Sequence, residues 1–215
     1  NFQFYGANHT QCVVSGNNFI TFDLTKANLY SSFVYATALA NGDLSNSIFF
    51  PFHDLNPVGL AGSAISYVTV GNPGSRKFIV QYCKIPLYSC ANLIVTNQLI
   101  LHEGTNIIEI HTLNKPSGCA WESGTGVMGI KSGTLEMFVP GRNLPNVNWG
   151  TTNEGLRFTP LNATSYKLDT IAFNPFPIIV EPDYSSTVWY KEGSNTPVGT
   201  GQYLNTTAEH GVFKY

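Results

Sequence analysis

The run Phe78-Ile79-Val80-Gln81-Tyr82, followed by Gln98-Leu99-Ile100-Leu101-His102-Glu103-Gly104-Thr105-Asn106-Ile107-Ile108-Glu109-Ile110-His111-Thr112-Leu113 and Cys119-Ala120-Trp121, decides the fold. The first run alternates with a period of two, which makes a strand with one buried face. The second reads as a long hairpin turning at Glu103-Gly104-Thr105-Asn106. Together they are a piece of a β-sandwich. The tract holds no grouping of nucleophile, base and oxyanion donors, so it points to a displayed module rather than to a reaction.

Strand signals continue on both sides. Upstream, Phe2-Gln3-Phe4-Tyr5-Gly6 alternates and turns, and Asn17 to Phe22 is a second strand. Ile48 to Asp54 is an apolar run closed by Pro and Asp, and Ala64 to Val70 alternates before a turn. Leu29 to Leu39 is where a short helix is expected, with Tyr30, Phe33 and Val34 at helical spacing. Downstream, Gly126 to Lys131 and Thr134 to Val139 form a hairpin about Ser132-Gly133. Pro140-Gly141-Arg142-Asn143 opens a polar loop to Trp149, and Gly155 to Pro160 and Tyr166 to Ile171 return to strand. Asn174-Pro175-Phe176-Pro177 stiffens the backbone as a spacer, so the expected units are residues 1–174 and 175–215. The second is too short for an independent core, which makes it half of a further sandwich or a flap.

Only 11% of the 215 residues are charged, well below the roughly 25% usual in globular domains, and Gly, Asn, Ser and Thr are abundant. Extracellular β-proteins read this way. The 11 Lys and Arg are scattered and the net charge is -2, so no nucleic-acid partner is expected. No stretch approaches the roughly 18 apolar residues of a membrane helix, so no membrane insertion is expected either. The opening at Asn1, without Met or a signal-like segment, and the strand-like Gly211 to Tyr215 suggest a region of a longer chain. Four cysteines allow three pairings, and spacing alone does not choose. Cys90 and Cys119 flank the hairpin, so a disulfide between them would staple loops at one end of the sandwich and imply an oxidising compartment. Cys12 and Cys83 remain, and Cys83 reads equally as a free thiol or as half of a second bridge.

Phe4-Tyr5-Gly6, Val14 to Phe22 and Phe50-Pro51-Phe52-His53-Asp54-Leu55-Asn56-Pro57 together resemble the opening of nidogen-like domains. Leu99 to His111, Asn114-Lys115-Pro116, Cys119, Trp121, Gly129-Ile130 and Pro140 to Asn143 resemble a module of very large surface proteins of gliding bacteria. Trp149, Thr152-Asn153-Glu154 and Arg157-Phe158-Thr159-Pro160 continue that likeness. Residues 186–215 resemble the start of a bacterial immunoglobulin-like repeat through Trp189-Tyr190 and Gly199-Thr200-Gly201. Asn18 stands where the nidogen-like pattern prefers Gly, and Cys12 and Cys83 lie outside the pattern. The resemblance implies a modular adhesin or surface filament component, exported by type IX secretion and displayed outside the cell. Its expected partners are neighbouring modules or copies of the same protein.

Glu109 and His111 share a strand face, and a carboxylate beside an imidazole can act as an acid-base pair. A solvated strand face is the plainer reading, and no enzyme activity, catalytic residue or cofactor is expected. His53-Asp54 with Asp23, Asp43 or Glu154 offers oxygen ligands for calcium, but the spacing matches no defined loop, so no metal is expected. Asp54 reads instead as an acceptor of backbone bonds in a turn. Tyr30, Tyr35, Trp121 and Trp149 offer a sugar-stacking platform, though Trp121 is expected to pack over a disulfide. Asp169-Thr170-Ile171 fits a bacterial O-glycosylation consensus at Thr170, again by the resemblance. Arg142 and Arg157 are expected to pair within loops closing one end. The resulting expectation is an all-β antiparallel β-sandwich, nidogen-like, with a second, partial immunoglobulin-like β unit. Its function is that of a structural or adhesive module, with a carbohydrate-binding module that contacts surface glycans as the alternative.

Overall fold

The computed structural model describes residues 1–31, 44–61, 63–143 and 145–174, and the backbone of three short strands beyond them. Four short strands open the chain: β1 (Phe2–Phe4), β2 (Ala7–His9), β3 (Val13–Val14) and β4 (Phe19–Thr21). Then come β5 (Ser47–Phe52), β6 (Ala64–Val70), β7 (Lys77–Leu87), β8 (Cys90–His102) and β9 (Ile108–Lys115). They are followed by β10 (Val127–Ser132), β11 (Leu135–Phe138), β12 (Thr151–Asn162) and β13 (Ser165–Ile171). β14 (Val188–Lys191), β15 (Pro197–Thr200) and β16 (Phe213–Lys214) form a small antiparallel sheet in the order β15-β14-β16. The expected spacer at 175–177 and most of the helix expected over Leu29–Leu39 lie outside the described residues.

Alternating segments with polar turns leave two sheets to pack on each other, and that is what forms. A six-stranded antiparallel sheet runs β13-β12-β9-β8-β7-β6, and a five-stranded one runs β11-β10-β5-β4-β3. Ile20, Ile48, Phe50, Met128 and Ile130 from the smaller sheet meet Val80, Tyr82, Leu99, Ile110 and Phe158 from the larger in one buried core. Phe50 stands edge-on to Tyr82 with ring centroids 5.5 Å apart. Burying each such side chain contributes roughly 1.5–3 kcal/mol, which is why a chain so poor in charge holds a large sandwich.

β5 explains its own composition. Ile48 and Phe50 enter the main core, while Phe49 and Phe52 join Phe19, Leu44 and Val127 in a second buried cluster on the sheet's other face. A strand covered on both faces has no solvent-facing positions, so it reads as an apolar run and not as an alternation. β1 and β2 are joined by Tyr5 (φ 44°) and Gly6 (φ 80°), both left-handed, as a two-residue hairpin turn requires. At Gly129 the pairing of β10 with β5 shifts register, and a Cβ there would sit 2.5 Å from the Met137 carbonyl oxygen.

Candidate functional site

Cys90 opens β8 and Cys119 lies in the connection from β9 to β10, and the two are joined by a disulfide. Asn148 ties the same connection down, accepting from the Gly118 N–H at 3.0 Å and donating to the Cys119 carbonyl at 3.2 Å. Trp121 packs at this end, its ring centroid 5.1 Å from that of Tyr88, and its indole N–H donates to Asp54 Oδ2 at 2.7 Å. The Asp54 side chain is therefore held by an indole and not by turn amides as the sequence suggested. Burial raises its pKa, and the Trp121 bond opposes that rise. His53 is buried beside it with Nδ1 3.0 Å from the Asp54 carbonyl oxygen, and burial lowers its pKa to about 4.

Lys115, at the end of β9, is 1% exposed. Its Nζ donates to the Trp149 carbonyl at 2.5 Å and stands 4.5 Å from the Trp149 ring centroid, with the Arg142 guanidinium 4.4 Å from the same centroid. Arg142 makes a two-point pair with Glu154, Nη2 to Oε1 at 2.7 Å, as a planar fork and a carboxylate favour. Desolvation, aided by the Arg142 charge, lowers the Lys115 amine to about 8. A shallow groove of about 340 Å³ lies over the ends of β9 and β12, lined by Asn114, Pro116, Ser117, Gly150, Thr151 and Thr152 together with Lys115.

On the outer face of the six-stranded sheet, Glu109 and His111 are buried, so the solvated strand face expected for them is corrected. Register sets Arg157 of β12 directly opposite Glu109 of β9. The guanidinium donates twice to Glu109 Oε1, at 2.9 and 2.6 Å. His102 Nε2 lies 3.1 Å from Glu109 Oε2, and His111 Nε2 lies 3.7 Å from it. Hydrogen bonds from His102, His111 and Arg157 hold the carboxylate well below its ordinary range against the opposing pull of burial. A carboxylate this stabilised neither carries a proton near neutral pH nor accepts one readily, which makes it a poor general acid or base. Arg157 thus pairs in mid-strand, not in an end loop, and Arg142, itself in the loop after β11, pairs with Glu154 of strand β12.

Glu109 and His111, singled out as a possible acid-base pair, are neighbours, but His53 and Asp54 do not join them. His53 and Asp54 follow β5 in the smaller sheet, whereas Glu109 and His111 face outward from the larger one. Asp23 caps a 3-10 turn, accepting from the Thr25 N–H at 3.0 Å, and Glu154 is committed to Arg142, while Asp43 lies outside the described residues. Among the described residues, no three His, Cys, Asp or Glu side chains converge as metal ligands. Of the aromatic platform, Tyr30 is exposed, Trp121 is set against Tyr88, Trp149 is covered by cations, and Tyr35 lies outside the described residues. Thr170 is exposed on the edge strand β13. Cys12 and Cys83 are free thiols, and burial pushes that of Cys12 up to about 12.

Sequence reasoning missed the partner of Glu109 and the burial of Lys115. The first needs the pairing of β9 with β12, which no local pattern encodes; the second had one available signal, a lysine set between Asn114 and Pro116 at the end of an alternating strand.

A family model described as NIDO related matches residues 1–170, which spans the two packed sheets almost to the end of β13. Searches of curated proteins and of solved structures returned no match.

Proposed function

The chain belongs to the NIDO-related family, and from that membership we propose that it is a structural and adhesive module of a large secreted cell-surface protein. The family fits a structural or adhesive module in general, and with the Cys90–Cys119 disulfide it suggests an extracellular setting. The finer reading, an adhesin or surface filament component of a gliding bacterium exported by type IX secretion, rests on the motif likeness of residues 99–160. In this reading residues 175–215 begin a neighbouring immunoglobulin-like module, and the partners are adjacent modules or copies of the same protein.

The observation that carries the reading is the family match lying on a disulfide-stapled sandwich whose conspicuous charged groups hold one another. Glu109 with Arg157 and Arg142 with Glu154 spend their charge on joining strands and loops, so they are expected to hold shape rather than to turn over a substrate. The test is bead retention: the full chain is coupled to beads, which are then flowed over protein-coated, polysaccharide-coated and bare hydrophobic surfaces. Saturable retention, competed by free chain, is the expected outcome. Absence of retention on every surface sinks the adhesive reading, and saturable binding confined to particular sugars on a glycan array replaces it with a carbohydrate-binding module.

A further inference from the structure

Inside the sandwich, between Leu99 and the apolar Val95, Ile85 and Leu87 that lie nearer the disulfide, polar side chains interrupt the apolar core. Asn18 precedes β4, His53 follows β5, Asn97 lies on β8, and Thr112 and Lys115 lie on β9; none is more than 2% exposed. They come from both sheets and meet across the interior. Asn97 Nδ2 donates to Asn18 Oδ1 at 3.0 Å, bridging the larger sheet to the smaller one. Thr112 is the register partner of Asn97, which places the two side by side on adjacent strands. The backbone of the Asn17-Asn18 pair accepts from the N–H groups of Phe50 and His53, so His53 belongs to the same neighbourhood. Lys115 closes it: a Cβ on Gly126 would touch both Lys115 Cε and the Phe52 carbonyl oxygen at 3.5 Å.

Four polar atoms in this group have no hydrogen-bond partner among the described residues: Asn18 Nδ2, Asn97 Oδ1, Thr112 Oγ1 and His53 Nε2. Lys115 Nζ, with three N–H bonds, makes one hydrogen bond among the described residues, to the Trp149 carbonyl. Leaving such groups bare is costly, and proteins rarely do so. The mixture of donors and acceptors identifies what completes them. The Asp54 carbonyl can only accept, so His53 carries its hydrogen on Nδ1 and, being neutral, turns a bare lone pair inward at Nε2. Asn97 Oδ1 is also an acceptor, whereas Asn18 Nδ2 and Lys115 Nζ are donors. Exchanging O and N in both amides still leaves one donor and one acceptor open. An anion would face the lone pairs of His53 and Asn97; a metal cation would face the ammonium of Lys115 and the amide hydrogens of Asn18. Water alone both gives and accepts two hydrogen bonds.

We propose that Asn18, His53, Asn97, Thr112 and Lys115 form an internal site for ordered water, which cross-links the two sheets. At about three bonds per buried water, the open donors and acceptors suit about two molecules. One accepts a hydrogen bond from Lys115 Nζ and donates one to His53 Nε2; the other joins Asn18, Asn97 and Thr112. The two sheets are thereby joined by directed bonds inside a core otherwise held by apolar contact.

The test is water-selective NMR on the full chain, which detects dipolar cross-peaks between long-lived water and nearby protein hydrogens. Cross-peaks to the Asn18 and Asn97 side-chain amides are expected, retained in Thr112→Ser and lost or weakened in Thr112→Val. Thr112→Val is also expected to shift the folding equilibrium about tenfold toward the unfolded state, since it strips a partner from the water. Absence of the cross-peaks in the native chain, or a Thr112→Val variant more stable than the native chain, overturns the site. Should Thr112→Val not fold, Thr112→Ser and the native chain decide alone: cross-peaks in both support the site, and their absence from either overturns it.

Discussion

Glu109 and Lys115 lie near opposite ends of β9, and their charges are treated in opposite ways. Glu109, on the outward face, has Arg157 bonded to one oxygen and two histidines beside the other. Lys115, turned into the sandwich, has one carbonyl and an aromatic ring, and it forms no ion pair among the described residues. On the sheet face, cross-strand register supplies a counter-charge at a fixed short distance. Inside, desolvation dominates, which is why the carboxylate is driven strongly toward ionisation while the amine is driven toward neutrality. One strand therefore has an electrostatic lock at one end and a hydrogen-bonded polar interior at the other.

The most damaging way to break this arrangement is at the Lys115 end. The disulfide closes a loop of sequence separation 29, for which chain entropy gives about 3–4 kcal/mol. Cys119→Ser should lower unfolding stability by that amount in urea, with amides near Lys115 losing hydrogen-exchange protection before those near Glu109. Equal loss at both ends would show that β9 has no separate ends.

At the other end, Glu109→Ala leaves the cationic Arg157 facing two histidines without a counter-charge. A loss of about 3 kcal/mol in denaturant unfolding is expected, at the low end for a buried pair because Arg157 is 41% exposed. A loss below about 1 kcal/mol would mean that the lock is only surface pairing.

Acid separates the two ends by pH. The folded pKa of His53 is lowered to about 4 from 6.5, so the unfolded state takes up its proton first. Stability is full above pH 6.5 and falls between 6.5 and about 4, by up to about 3 kcal/mol. Glu109 is also depressed, but from 4.5, so its contribution is lost only as the pH falls below the ordinary carboxylate range. Unfolding midpoints measured between pH 7 and 4 should show the first slope, and His53→Gln should remove it. Persistence of the slope in His53→Gln would assign it elsewhere.

The smallest effect belongs to the pair between Lys131 and Glu136 on the β10–β11 hairpin, whose carboxylate is 46% exposed. Lys131→Ala should move stability by no more than about 0.5 kcal/mol. A larger change would show that exposure is a poor guide to which charges matter here.

Strand β6, the start of β7, the end of β8 and β9 were legible in sequence because apolar side chains such as Val80 and Tyr82, Leu99 and Leu101, and Ile108 and Ile110 recur every second residue, whereas the start of β8 at Cys90 was not. The β10–β11 hairpin was legible through Ser132-Gly133, and the Cys90–Cys119 bridge through its position on either side of the long hairpin. The double burial of β5 showed only as an apolar run, since a strand packed on both faces has no polar positions to mark its period. The pairs that matter electrostatically were not legible. Glu109 meets Arg157 because β12 returns to pair with β9 after β10 and β11 have crossed to the other sheet.

Sequence by itself determined that this chain is all-β, low in charge and built around alternating hairpins, because side-chain periodicity and turn chemistry are local properties. Tertiary structure alone decided which charges are matched, that Lys115 and His53 lie in the interior, and that Asn18 reaches Asn97. Those outcomes depend on which strands become neighbours and on how far water is excluded, and neither quantity exists until the two sheets close on each other.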